Sequence, residues 1–399
     1  MTAVAVTPRV TRPARGCPGV DTHGPVVVIS AGIGAGHDGA AAEITRRLRA
    51  AGHAVERHDF LDLLPAGWGA AIRGTYARQL AVAPASWGWL LDTMGRPRAT
   101  DAASALSAAA AARRMLAAIP PAATAIVSTY PLAGQALGRL RLAGRLGTPS
   151  IAFTTDPWVH PLCVAPGMDL HLAPNAHATG RIRRGYGLRA ATVSPVVDPR
   201  FRPARDAADV LAGRRRHGLP PAERLVLVVA GSGGVGDIGT AVRDIRGATE
   251  AIPVVVCGHN HRLRRRLAAA GQVVTLGWVD DMPSLLRSVD AVVHNAGGLT
   301  SLEAMTSGVP VISYRCLPGH GVGNAAVLRR IGLSAWPQSR DGLAAALRAA
   351  LHGDLRQRQR RAYRRLVQAR DAADLICEAA APLAVSVAGR RPVATGVAG

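Results

Sequence analysis

The sequence contains no lysine: all 48 of its basic residues are arginine. Acidic residues number only 26, so the formal charge is +22. A GC-rich coding bias accounts for the type of cation but not fully for the excess. A chain this basic is drawn to phosphate, whether in nucleic acid, an anionic membrane or a phosphorylated ligand. Aromatic residues are scarce at 4%, so the core must be built from Leu, Val, Ile and Ala. The five cysteines, at 17, 163, 257, 316 and 377, are scattered. None forms a CxxC pair or a Cys/His cluster with zinc spacing, which implies free thiols in a reducing compartment. No apolar run reaches the ~18 residues that a membrane span needs. Residues 1–24 carry no apolar segment of the signal-peptide kind. The expected location is the cytoplasm, with membrane contact only at its inner face.

The 399 residues suffice for two domains. From residue 25 the pattern is short apolar strand, glycine turn, helix, and strand again. "VVVIS", "AVERHDF", "TAIVSTY", "PSIAFTTD" and "DLHLAPN" read as strands of a parallel α/β sheet. The rhythm breaks over residues 198–222, which hold prolines and charges. It restarts with "LVLVVAGSGGVGD" and continues through "AIPVVVCG", "QVVTLGWV", "DAVVHNAGG" and "VPVISY". The expected organisation is a disordered tail (1–24), a Rossmann-like domain (25–197), a linker (198–222), a second Rossmann-like domain (223–370) and a helix end with a flexible tail (371–399). One arginine-rich helix is expected near 355–380. Ligands of open α/β sheets sit beyond the carboxyl ends of the strands, so the site belongs in the cleft between the domains.

Residues 34–39, G-A-G-H-D-G, form a GxGxxG, and Asp59 follows at the distance of a dinucleotide fingerprint. The histidine and aspartate put polar bulk where a pyrophosphate would approach, which argues against that reading. His37 would sit in the first turn of a helix. The dipole there favours the neutral imidazole, which can take a proton from a hydroxyl; alternatively it only hydrogen-bonds a loop. The second loop, Gly231, Ser232, Gly233 and Gly234, could cradle an anion with its N–H groups or serve as a tight strand–helix turn. After "DAVVHNAGG", Thr300 and Glu303 fit a T-x-x-E capping box. The other reading of Glu303 is a carboxylate in the cleft that accepts from both hydroxyls of a ribose.

The segment "HNAGGLTSLEAMTSGVPVI" resembles the donor-binding signature of GT-B glycosyltransferases. "SAGIGAGHDGAA", "FTTDPWVHP", "GWVDDM" and "PGHGVGN" resemble further motifs of the branch that includes monogalactosyldiacylglycerol synthase and processive diacylglycerol glucosyltransferase. The resemblance covers roughly residues 25–370. It implies a GT-B fold, two Rossmann-like domains facing a central cleft. It implies an inverting transferase that uses a UDP-sugar donor, a lipid acceptor of diacylglycerol type and no essential metal. By the same resemblance His37 is the general base and Asp156 orients the acceptor or the base. Glu303 holds the ribose, and Val279 and Met282 face uracil. Gly231, Ser232, Gly233, Gly234, Gly297, Gly298, Leu299 and Thr300 line the diphosphate. His320 and Asn324 belong to the donor side, and Gly34 and Gly36 let the acceptor come close. The chain departs from the family at His320–Gly321, where a Gln-Glu pair is usual, so the sugar is not legible. In "TTDPWVHP" the tryptophan precedes His160, whereas the family places histidine first.

Residues 68–98 gather Trp68, Tyr76, Trp87 and Trp89 with four arginines. Trp and Arg together suit an anionic lipid interface; an ordinary amphipathic helix packed on the sheet is the alternative. Three rivals remain: a transferase with a soluble acceptor, a UDP-sugar epimerase and a basic nucleic-acid-binding protein. The last is disfavoured because the arginines are dispersed and no nucleic-acid motif is present.

Overall fold

The computed structural model describes residues 24–33, 35–82, 89–90, 92–231, 233–271, 273–295 and 297–381. The N-terminal sheet is made of β1 (Val26–Ser30), β2 (Val55–Asp59), β3 (Ala125–Ser128), β4 (Ser150–Phe153), β5 (Leu170–Ala173) and β6 (Ala190–Thr192). It is parallel throughout, in the order β2-β1-β3-β4-β5-β6. The C-terminal sheet contains β7 (Leu225–Val229), β8 (Ile252–Val256), β9 (Val274–Leu276), β10 (Ala291–His294) and β11 (Val311–Ser313). It too is parallel, in the order β11-β10-β7-β8-β9. Every residue of β1 and β7 is buried, as parallel strands covered on both faces require.

Helices of the N-terminal half are α1 (Ala35–Ala50), α2 (Trp68–Val82), α3 (Pro97–Ala118), α4 (Pro131–Leu142) and α5 (Ala176–Tyr186). The C-terminal half carries α6 (Ala207–Arg216), α7 (Ile238–Arg246), α8 (His261–Ala270), α9 (Met282–Arg287), α10 (Gly298–Thr306) and α11 (His320–Arg330). These are followed by α12 (Arg340–Leu351), α13 (Leu355–Val367) and α14 (Ala372–Ala380). Scarce aromatics leave the interior to aliphatic packing. Among the largest fully buried side chains, Phe60 stands with Ile29, Ile44, Leu48, Leu225 and Leu227.

Two departures from the sequence expectation matter for the site. The segment 198–222 is not bare linker. It contains α6, and the buried Arg214 ties that helix to the C-terminal domain through Ser288 O (3.0 Å) and Asp290 (3.2 Å). The helix expected over 355–380 is two helices. Asp371 caps the second by accepting from Ala373 N (2.8 Å). This second helix crosses back: Ile376, Cys377 and Ala380 join Ile44 and Leu48 of α1 in the N-terminal core. Arg47 clamps the crossing, donating to Asp371 (2.7 Å) and to Pro195 O (2.9 Å). The chain therefore passes between the domains twice, and their cleft is held from one side.

Candidate active site

The carboxyl end of β1 runs through the glycine turn into α1, and His37 lies in the first turn of that helix. Its Nδ1 lies 2.7 Å from Thr129 O and 3.4 Å from Thr155 Oγ1. A carbonyl only accepts, so Nδ1 carries the proton and Nε2 keeps its lone pair. The ring packs edge-on against Tyr130, with centroids 5.5 Å apart. Burial lowers the His37 pKa; Asp156, the Thr129 carbonyl and Asp38 oppose that shift, and His320 adds to it. The imidazole is thus neutral at neutral pH.

His37, Asp156, His160 and His320 line one pocket of about 470 Å³. The rest of its wall is mostly apolar, including Ile33, Ile72, Leu90, Met94, Leu132 and Leu162. The elements that supply Ile72, Leu90 and Met94 to this wall also carry exposed large apolar side chains: Trp68 is 48% exposed, Ile72 37% and Trp89 68%. His160 caps the turn Pro161–Cys163, accepting from Leu162 N (3.1 Å), and stands edge-on to Trp158. His320 opens α11, and its Nδ1 is buried with no hydrogen-bond partner among the described residues. It lines the same pocket as His37.

Across the cleft, α10 begins at Gly298 with Gly297 as its N-cap residue. Thr300 is consequently inside the first turn and cannot cap it. The T-x-x-E capping box does not form, because the helix starts three residues earlier than that reading requires. Glu303 is half-buried, and its carboxylate has no hydrogen-bond partner among the described residues. Burial, followed by the charge of Asp198, raises its pKa to about 7. The start of α10 is braced from beneath: His294 Nε2 lies 3.0 Å from both Ser301 Oγ and Ser313 Oγ. Val279, Met282 and Leu299 pack around the cluster that contains Val229 and Val256, at the ends of β7 and β8.

The glycines of the second loop have left-handed backbones at Gly231 (φ 66°) and Gly234 (φ 54°). A β-carbon on Gly234 would lie 2.7 Å from Cys257 O, so the turn needs glycine there. Beside Gly231 and Gly36 an added β-carbon would meet nothing within 4 Å. Space for a ligand is therefore open at both loops. Gly233 is exposed on the same turn. Gly34, Trp87 and Ser232 lie outside the described residues.

The two domains touch at these same elements. A β-carbon on Gly298 would lie 2.6 Å from Pro157 Cδ and 2.9 Å from Asp156 Oδ1. Gly323 faces the Trp158 ring, and Gly39 faces Leu299. Asn324 is fully buried; its amide donates to Asp156 Oδ1 (2.9 Å) and accepts from Trp158 N (3.0 Å). Asn324 is therefore engaged with the opposite domain. Thr129, Trp158 and His294 were missed by sequence reasoning. Only the tertiary structure brings Thr129 to His37, 92 residues away.

Asp59 cannot serve as the acidic residue of a dinucleotide fingerprint. It accepts from Gly32 N (2.9 Å), Leu61 N (2.8 Å) and Arg73 (2.8 Å), and so ties down the glycine turn. Among the described residues no group of three or more His, Cys, Asp or Glu could hold a metal ion. No helix among them is long and apolar enough to cross a membrane.

Comparison with known proteins agrees with this geometry. A family profile described as "Glycosyl transferases group 1" matches residues 225–353. The processive diacylglycerol beta-glucosyltransferase of Bacillus subtilis (strain 168) is 26% identical over 209 residues, 50% of this chain and 53% of that protein. The chain thus spans about half the length of that curated relative. Among solved structures, MurG of Acinetobacter baumannii is matched at TM-score 0.52 and 15% identity, covering 89% of this chain and 99% of that one. Os79 of O. sativa, solved in complex with UDP, is matched at TM-score 0.55 and 15% identity, covering 89% and 99%. The chain has the GT-B glycosyltransferase fold, two Rossmann-like domains across a cleft, with the glycosyltransferase group 1 match lying on the second.

Proposed function

We propose that the protein is an inverting glycosyltransferase that moves a hexose from a UDP-sugar to a hydroxyl of a diacylglycerol-type lipid at a membrane surface. The observation that carries this reading is His37. Its Nδ1 is pinned by a backbone carbonyl, and it lies in an apolar pocket opposite the bare helix start at Gly297–Gly298. The acceptor hydroxyl loses its proton to His37 Nε2 as its oxygen attacks the anomeric carbon. The carbon–oxygen bond to the diphosphate breaks, and UDP leaves with the electron pair. The leaving charge is met by N–H groups at the start of α10 and by the loop from Gly231 to Gly234. Glu303 accepts from the ribose hydroxyls, and Val279 and Met282 face the uracil. Asp156, held by Asn324, orients the base or the acceptor, and His320 shares the pocket with His37, which supports a role at the donor sugar.

An apolar wall suits an acyl-bearing acceptor better than a polar one. The exposed Trp68, Ile72 and Trp89 next to that wall support docking on a bilayer, with arginine at its anionic headgroups. The name of the Bacillus relative supports the same acceptor class. UDP release measured with a panel of UDP-sugars, with and without diacylglycerol in anionic liposomes, tests the reading. Release with one sugar, dependent on lipid and abolished by His37→Ala and Glu303→Ala, is the expected result. Release indifferent to lipid would move the acceptor to soluble molecules.

A further inference from the structure

A second, larger pocket of about 740 Å³ lies on the C-terminal domain, away from the cleft. Arg224 precedes β7 by one residue and Asp290 precedes β10 by one, so the pocket sits at the amino edge of the sheet. The donor loops leave the carboxyl edge. Strands of four or five residues separate the two edges by roughly 13 Å or more. The mechanism above uses nothing in this pocket.

Its wall is unusually charged. Arg214, Arg224, Arg287, Arg356 and Arg360 line it, against Asp290 as the only carboxylate. Asp290 is already engaged: Arg214 reaches one oxygen (3.2 Å), Arg224 the other (2.6 Å), and Leu225 N also donates to it (2.9 Å). Among the described residues Arg356 finds only carbonyls, Gly308 O (3.3 Å) and Asp290 O (3.0 Å). Arg287 donates to Arg200 O (3.0 Å) and lies 3.8 Å from Asp209, yet its Nε has no hydrogen-bond partner among the described residues. Asp209 is shared with Arg202 and Arg205. A second, independent sign comes from Ser307. The residue lines the pocket, and its hydroxyl is buried with no hydrogen-bond partner among the described residues. Burial lowers the pKa of Arg356 and, despite Asp290, Arg360 and Arg224 add to that. A fold does not gather uncompensated cations around a cavity without cost.

We propose that this pocket binds a phosphorylated small molecule, with the phosphoryl group held by Arg287, Arg356, Arg360 and the Ser307 hydroxyl. The donors left over match the acceptors that a phosphoryl group offers. The volume leaves room for an organic moiety against Val210, Val289 and Leu351. The same phosphoryl chemistry is available in solution or on a lipid headgroup.

The test is calorimetric titration of the whole protein with inorganic pyrophosphate, and separately with vesicles that display a phosphate monoester headgroup. Arg360→Glu and Ser307→Ala are compared with Arg181→Glu, which makes the same charge change as the first on the exposed surface of α5. Loss of affinity of about tenfold or more in both pocket variants, with Arg181→Glu unchanged, supports the site. Whether pyrophosphate or only the vesicle shows that pattern identifies the source. Arg360→Glu should also raise the unliganded melting temperature, because it relieves repulsion. Binding that is equal in wild type and both pocket variants overturns the proposal, as does a loss shared by Arg181→Glu.

Discussion

Two helix starts face each other across the cleft, and they use one physical device in opposite ways. The start of α1 carries His37, whose ring packs against Tyr130 and the Thr129 carbonyl. There the partial positive charge and burial keep the imidazole neutral. The start of α10 carries Gly297 and Gly298, and no side chain caps its N–H groups. On the proposed function, one helix end keeps a base neutral and the other receives an anion. Which role each takes is set by whether a side chain stands in the first turn.

The largest expected effect breaks the first half of that pair. His37→Ala should cut turnover of UDP-sugar and lipid about 10²- to 10⁴-fold, with donor affinity unchanged; steady-state kinetics and nucleotide titration separate the two. The pH profile sharpens the same point. Because the His37 pKa is lowered, turnover should hold to a pH below 6.5 before protonation of the base removes it.

Gly298→Ala attacks the other half. The new β-carbon would meet Pro157 and Asp156, so the domains must separate or shift. We expect a loss of about 1–3 kcal/mol in stability together with a fall in turnover, read by thermal unfolding and kinetics. Selective loss of donor affinity with unchanged stability would mean that Gly298 serves the ligand alone.

Glu303 separates stability from function. Its folded pKa, about 7, lies above the ordinary glutamate value of 4.5, so the native state holds the proton more tightly than the unfolded chain. Stability contributed by the protonated form is present below the unfolded value and lost as pH rises through 4.5 to 7. Glu303→Gln should therefore melt higher than wild type above pH 7, with the gap closing towards pH 4.5. The same variant should bind UDP more weakly. In wild type, UDP affinity should rise with pH across this window, because ribose hydroxyls favour the carboxylate.

The smallest effect concerns Thr300. A lost N-cap typically costs ~1 kcal/mol. Thr300 lies inside the first turn of α10, so Thr300→Ala should change stability by less than about 0.5 kcal/mol. A larger loss on thermal unfolding would restore the capping box.

Much of this was legible in the residues. The strands announced themselves as short, mostly apolar runs between turns and helices, and ten of them fall where those runs lie. β6, Ala190–Thr192, was not legible, because three small residues carry no apolar run. Asp371 was the available sign that the arginine-rich helix ends and a new one starts, since it stands just before "AADLI" as an N-cap. Periodicity alone hid it, because the stripe continues across the break.

The sequence by itself determined two parallel α/β domains, a histidine at one helix start and bare glycines at another, because these are local consequences of strand and turn chemistry. Only the tertiary structure decided that Thr129 fixes the tautomer of His37. The same holds for Asn324 joining Asp156 across the cleft and for α14 returning to the first domain. Those contacts join residues 92, 168 and more than 300 positions apart, and no local pattern encodes which distant groups a fold brings within hydrogen-bond reach.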